Sequence, residues 1–170
     1  MNIQLRALLS SDVNQIQYIC NNQKVTQFLG DNYPFPFTIK DAKQLLVNMV
    51  NSKNVRGIIV DDVLAGCIGV KEHEGNLAHI LELGFYLGED YWGKGIMARI
   101  IPMFLNEHVT VHFPTIHRIT ARALTNNVGS CKVLEKSGFT LEGVLKDGFY
   151  RDQVFYDDSI YGLIVKSINK

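Results

Sequence analysis

The chain has one tryptophan, three cysteines and four prolines among 170 residues, and no excess of either charge, since 17 Lys plus Arg balance 17 Asp plus Glu. Each scarcity removes a class of function. Cys20, Cys67 and Cys131 are odd in number, far apart and without a C-x-x-C pair, so neither a disulfide framework nor a zinc site is expected. A cytoplasmic enzyme with reduced thiols is the expected setting. Zero net charge argues against a dedicated nucleic-acid binder, which carries a basic excess, and against adhesion to an anionic membrane. No apolar run approaches the roughly 18 residues of a membrane-spanning helix. The opening MNIQLRALLSSDV breaks its short apolar stretch with Gln4 and Arg6 and does not read as a signal peptide.

What is present is 46% hydrophobic sequence, enough to build the core of one domain spanning residues 1–170. Ile3 to Leu8 alternates as a strand does. Asp12 opens a helix with Val13, Ile16 and Ile19 on one face, and Asn32 to Thr38 is a proline-broken loop. Thr38 and Asp41 form a capping-box pattern before the helix face Ala42, Leu45, Leu46 and Met49. Then the period changes. Gly57 to Val60 and Ala65 to Lys71 read as strands joined by an Asp61-Asp62 hairpin, and His79 to Leu87 as a third. Ile96, Ile100, Ile101, Phe104 and Leu105 mark a helix. Arg118 to Leu124 reads as a strand, and Val128 to Ser137 as a helix closed by Gly138. Leu141 to Phe149 and Val154 to Val165 read as the last strands. This order implies a mixed α/β domain with a twisted central sheet flanked by helices.

Between the third strand and its helix lies GEDYWGKG, Gly88 to Gly95. Two glycines around Lys94, just before a helix start, suit a bound anion. A helix N-terminus presents unpaired N–H groups and partial positive charge, and phosphates settle there. A tight turn alone accounts for the pattern equally well. Gly88 to Lys94 fits the first seven positions of a P-loop, but Gly95 stands where Ser or Thr must hold magnesium. The dinucleotide pattern G-x-G-x-x-G meets Ala98 at its last position, and no early βαβ unit begins the chain.

Glu82 alternates with Leu81 and Leu83 in its strand, so it faces away from them, where a half-buried carboxylate serves as a base or simply as a paired surface acid. Asn127 suits a helix N-cap. His108 and His112 are four apart, but the intervening Val109, Thr110 and Val111 disfavour a helix, and no metal is expected. No G-x-S-x-G frames a serine nucleophile, and Cys131 has no evident base.

Leu81 to Ile100 (LELGFYLGEDYWGKGIMARI) and Thr125 to Phe139 (TNNVGSCKVLEKSGF) together resemble the GNAT N-acetyltransferase superfamily. Their order and spacing are most similar to its branch of ribosomal-protein N-terminal acetyltransferases. The similarity extends to LRALLSSDV near the start and to EGVLKDGFYRDQVFYDDSIYGLIV near the end. It implies a mostly antiparallel GNAT sheet and an acetyl-coenzyme A-dependent N-acetyltransferase. The superfamily pattern Gln/Arg-x-x-Gly-x-Gly/Ala falls on Trp92, Gly93, Lys94, Gly95, Ile96 and Met97, with Trp and Met at its two ends. These residues, with Tyr86 and Leu87 through their backbone and with Asn127 and Lys132, are then the cofactor contacts. Glu82 is the base, and Ser130 donates to the departing sulfur. The tyrosine that many members use as the acid has no counterpart at Lys132, Val133 or Leu134. The resemblance leaves the acceptor between a peptide N-terminus and a small amine such as a polyamine or antibiotic. It also admits a homodimer, and a non-catalytic coenzyme A-binding module as the rival reading.

Overall fold

The structure, a computed structural model, describes residues 1–165. In chain order its strands are β1 (Ile3–Arg6), β2 (Val55–Val60), β3 (Val63–Glu72), β4 (Ile80–Leu87), β5 (Arg118–Leu124), β6 (Thr140–Arg151) and β7 (Val154–Ile164). The helices are α1 (Val13–Cys20), α2 (Gln23–Thr26), α3 (Ile39–Met49), α4 (Ile96–Met103), α5 (Thr110–His112) and α6 (Val128–Lys136). The seven strands are hydrogen-bonded in the order β1-β2-β3-β4-β5-β7-β6, and the sheet is mostly antiparallel, with β4 and β5 parallel. The mixed α/β class with helices flanking a sheet is therefore as expected.

Chain contacts divide the molecule into two compact units. The first holds Met1–Gly69 and Phe85–Ile100; the second holds Val70–Gly84 and the described residues from Ile101 onward. β3, β4 and α4 each run from one unit into the other.

In the first unit, α1 and α3 lay Ile16, Ile19, Ala42 and Leu46 against Ile59, Leu64, Cys67 and Tyr86 of the strands, all of them buried. The Thr38–Asp41 capping box forms as read: the Asp41 N–H donates to Thr38 Oγ1, and the Thr38 N–H donates to Asp41 Oδ2 at 2.8 Å. Asp61 and Asp62 make the two-residue β2–β3 turn at φ 47° and 67°, the left-handed geometry such hairpins need. Arg6 clamps Asp12 through two charge-assisted hydrogen bonds of 2.7 and 2.8 Å, and the Leu9 N–H adds a third. Burial pushes the Asp12 carboxyl up, but Arg6 and Leu9 outweigh it, and the group sits below the usual carboxylate range. A lowered folded value means that this stabilisation is present above pH ~4 and is lost as pH falls below it. Asp12→Asn should therefore cost about 2 kcal/mol at pH 7. The gap from wild type should close in acid-unfolding curves below about pH 3, and a constant gap at every pH would contradict this.

Gly66 marks the tightest approach in this unit. A Cβ there would collide with the Tyr86 carbonyl oxygen and stand 2.9 Å from Leu87 Cα. Gly66→Ala should lower stability by about 3 kcal/mol, read as a fall in Tm.

In the second unit, Ile119, Ala121 and Ala123 of β5, Leu134 of α6 and Tyr161 of β7 are buried. Gly138 takes φ 89° after α6, and the Phe139 N–H reaches back to the Leu134 carbonyl, as a left-handed helix cap requires. Asp152 and Gln153, at φ 50° and 63°, turn the chain between β6 and β7. α4 passes Pro102 into a π-helical segment, Phe104–Val109, and then into α5. The expectation that Val109 to Val111 oppose helix is thus overturned: burial of Phe104 and Val109 outweighs the few tenths of a kcal/mol of β-branched propensity.

Candidate functional site: the glycine loop and its neighbours

In the first unit β4 ends at Leu87, and the Gly88 N–H donates to the Ala65 carbonyl at 2.8 Å. A 3₁₀ turn, Glu89–Tyr91, follows. Its two acids are held back from the loop ahead. Glu89 accepts from Lys24 and Asn22, which keep its carboxyl below the usual range, and Asp90 accepts from the Tyr18 hydroxyl at 3.3 Å. A cleft of about 530 Å³ lies among Gln17, Tyr18, Asn22, Glu89, Asp90 and Tyr91.

Beyond the turn the backbone opens to solvent. Trp92, Gly93, Lys94 and Gly95 are all exposed. Gly93 and Gly95 adopt φ 71° and 70°, and an added Cβ at either would meet no atom within 4 Å. So both glycines are required first by left-handed backbone, which side chains disfavour. The open space beside them is a second consequence. α4 starts directly after Gly95 with no acid in its first turn, and its first residues Ile96 and Met97 are buried, 1% and 6% exposed. Their side chains serve the core, so only their N–H groups are available to a ligand. An exposed left-handed loop that delivers helix N–H groups, carries Lys94 and has its nearby acids engaged elsewhere fits a pyrophosphate.

Tyr86 is 8% exposed and donates its hydroxyl to Cys67 Sγ at 3.2 Å. Burial raises the Tyr86 hydroxyl well above its ordinary range, and it raises the Cys67 and Cys20 thiols to about 12. These groups stay protonated at neutral pH. With both side chains buried, Tyr86 and Leu87 offer a cofactor chiefly their backbone groups.

In the second unit β4 pairs with β5 from Ile80 to Leu83. Leu81 and Leu83 are buried at 0% and 3%, while the Glu82 side chain is 36% exposed, so the alternation is as read. The His73 ring Nε2 lies 3.9 Å from a Glu82 oxygen. Asn127 caps α6, its side chain accepting from the Ser130 N–H at 3.2 Å. Ser130 is half-buried and Lys132 exposed. Three aspartates of the β6–β7 hairpin have cationic partners. Lys146 holds Asp157, Arg151 lies 3.6 Å from Asp152, and Arg122 holds the buried Asp158 through a 2.6 Å bond. The His108 and His112 rings lie 4.1 Å apart between centroids, tilted by 32°, and His112 Nδ1 lies 3.0 Å from the His108 carbonyl oxygen. Among the described residues no group of three His, Cys, Asp or Glu is placed to hold a metal ion, and no helix is long and apolar enough to cross a membrane.

What sequence reasoning missed was the anchoring of the loop. The Trp92 indole donates to the Leu87 carbonyl at 2.9 Å, and α2 braces the preceding turn through Lys24 and Glu89. The first signal was the lone tryptophan at the head of the glycine pattern; α2, at four residues, has no period to read.

Known proteins resemble this chain in sequence and in fold. The probable N-acetyltransferase YjcK of Bacillus subtilis is 28% identical over 61% of this chain and 56% of its own length. The ribosomal-protein-serine acetyltransferase of Escherichia coli is 25% identical over 98% of this chain and 94% of its own. The spermidine N(1)-acetyltransferase of Vibrio cholerae is 26% identical over 100% and 99%. Among solved structures, the RimL ribosomal L7/L12 α-N-protein acetyltransferase in complex with coenzyme A superposes with a TM-score of 0.82 at 20% identity, over 97% of this chain and 95% of that one. The family model of the acetyltransferase (GNAT) domain matches residues 2–140. The chain belongs to the GNAT family of acetyl-coenzyme A-dependent N-acetyltransferases, and it resembles the ribosomal-protein acetyltransferase branch.

Proposed function

We infer that the chain transfers the acetyl group of acetyl-coenzyme A to the α-amine of a peptide or protein N-terminus, working in the cytoplasm. The observation that carries the cofactor half is the loop Trp92–Gly95, left-handed at both glycines and open at the start of α4. Its N–H groups, with those of Ile96 and Met97, hold the pyrophosphate, and Lys94 adds charge. Acetyl-coenzyme A supplies an activated thioester. The amine attacks the thioester carbonyl directly: a C–N bond forms, the C–S bond breaks, and the thiol leaves with a proton. Glu82 takes the proton that the amine loses, and Ser130 donates to the departing sulfur. Backbone N–H groups near Tyr86 and Leu87, past the end of the β4–β5 register, stabilise the carbonyl oxygen as it gains charge. Asn127 and Lys132 meet the coenzyme arm.

The acceptor follows from proton chemistry. Only a neutral amine has the attacking lone pair. At pH 7 about a tenth of α-amines are neutral, against fewer than about one in a thousand lysine side chains. A single carboxylate base is therefore best matched to an α-amine. The Escherichia coli relative, whose name specifies a ribosomal protein, supports this reading, and the Vibrio relative, whose name specifies spermidine, supports the polyamine alternative. Thiol release measured with peptides, spermidine and an aminoglycoside decides between them. Faster turnover of spermidine than of every peptide would overturn the α-amine assignment and leave the acetyltransferase intact.

A further inference from the structure

The geometry points to Trp92 as a positioning residue, whose indole N–H ties the cofactor loop to the end of β4 and presets it before coenzyme A arrives. This rests on the reading that the glycine loop holds the pyrophosphate.

The loop has little else to hold it. Its four residues are exposed, two are glycines in open space, and Lys94 Nζ lies 5.8 Å from the Tyr91 ring centroid, so side-chain packing does little to fix their backbone. Glycine also has the most conformational freedom to lose on ordering. The fixed points lie on either side. At one end Ile96 is buried in the core. At the other the Leu87–Gly88 peptide is held from both faces: its N–H donates to the Ala65 carbonyl at 2.8 Å, and its C=O accepts the Trp92 indole at 2.9 Å. The backbone N–H of Trp92 donates to the Glu89 carbonyl at 3.1 Å, closing the turn beneath it. The indole bond thus carries the rigidity of the sheet edge past the turn to the first residue of the glycine pattern. Only Gly93, Lys94 and Gly95 are left to order between two anchors. Ordering them in advance lowers the entropy that cofactor binding must supply.

The bond also explains why a tryptophan suits this position. The side chain must leave the loop, cross back over the turn and still present a donor, and the indole N–H lies at the far edge of a large rigid ring. Phenylalanine keeps the apolar body and loses the donor.

Because Trp92 is the only tryptophan, it can be replaced selectively, and its emission reports on this loop alone. The test compares wild type with Trp92→Phe and with a protein carrying 3-benzothienylalanine at position 92, which keeps the indole shape and lacks the N–H. In cofactor-free protein, backbone ¹⁵N order parameters at Gly93, Lys94 and Gly95 should be close to the rigid value in wild type and fall below about 0.6 in both variants. By calorimetry the Kd for coenzyme A should rise about fivefold in both, the loss of one hydrogen bond's net contribution, while kcat at saturating acetyl-coenzyme A stays within about twofold. Unchanged order parameters would overturn the tether. Looser amides with an unchanged Kd, or a fall in Tm alone, would overturn its role in positioning the cofactor. If wild type itself neither binds coenzyme A nor changes its Trp92 emission on titration, the assignment of the loop to the cofactor falls instead.

Discussion

Gly95→Val should weaken acetyl-coenzyme A binding about 100-fold while the protein stays folded. The reason is conformational rather than a clash with neighbours. Gly95 sits at φ 70°, and a Cβ there would meet nothing within 4 Å. A β-branched residue at positive φ carries strain of about 1–3 kcal/mol. The exposed loop escapes that strain by turning the residue to negative φ, which re-aims the N–H groups just before α4. Binding then loses about 2.7 kcal/mol, or two decades in Kd. Gly95→Ala should show a smaller loss, since one methyl tolerates left-handed backbone better than a branched chain does. Calorimetry on both variants checks the order, and thermal melts within a few degrees of wild type show that the fold survives. A valine variant that binds as tightly as wild type would remove the loop from the cofactor site.

The second large effect is expected at Glu82. Glu82→Gln should lower kcat about 100-fold and leave the Kd for coenzyme A unchanged, because the amide keeps the shape and loses the proton acceptor. Glu82 stands between two fully buried leucines on β4, so its backbone is fixed by the core while its carboxylate keeps contact with solvent. That combination suits a group that must take a proton and release it. The acidic limb of the pH–rate profile should flatten in the variant. If the limb is unchanged and kcat falls less than about threefold, Glu82 is a surface acid beside His73 and nothing more.

The elements that were legible in the sequence are those whose signal is local. The Thr38–Asp41 capping box, the Asp61-Asp62 turn, the alternation of Leu81, Glu82 and Leu83, and the Gly138 cap each depend on residues a few positions apart, and each is found where the pattern put it. Elements decided by tertiary contact were harder to read. α2 is too short for a period, and Gln23–Thr26 is ordered by Asn22 and by the Lys24–Glu89 pair, 65 residues away in sequence. The helical run through His108 to His112 was missed because the buried Phe104 and Val109 override the propensity of the β-branched residues between the histidines. The glycines show a third case. The sequence marked Gly93 and Gly95 as places where side chains are unwelcome; the structure supplies left-handed φ as the first reason. The Trp92 tether and the ion pairs that occupy Asp152, Asp157 and Asp158 depend on side-chain positions that no spacing rule gives.

The account is tested most directly by thiol release from acetyl-coenzyme A, followed at pH 7 with wild type and Gly95→Val against peptides of different first residues, spermidine and an aminoglycoside. The expected result is release that requires an added amine, is fastest with a peptide α-amine, and collapses in the valine variant at sub-saturating acetyl-coenzyme A. Release that is independent of any amine, or that proceeds equally in wild type and variant at low acetyl-coenzyme A, would contradict the assignment of this loop and this chemistry.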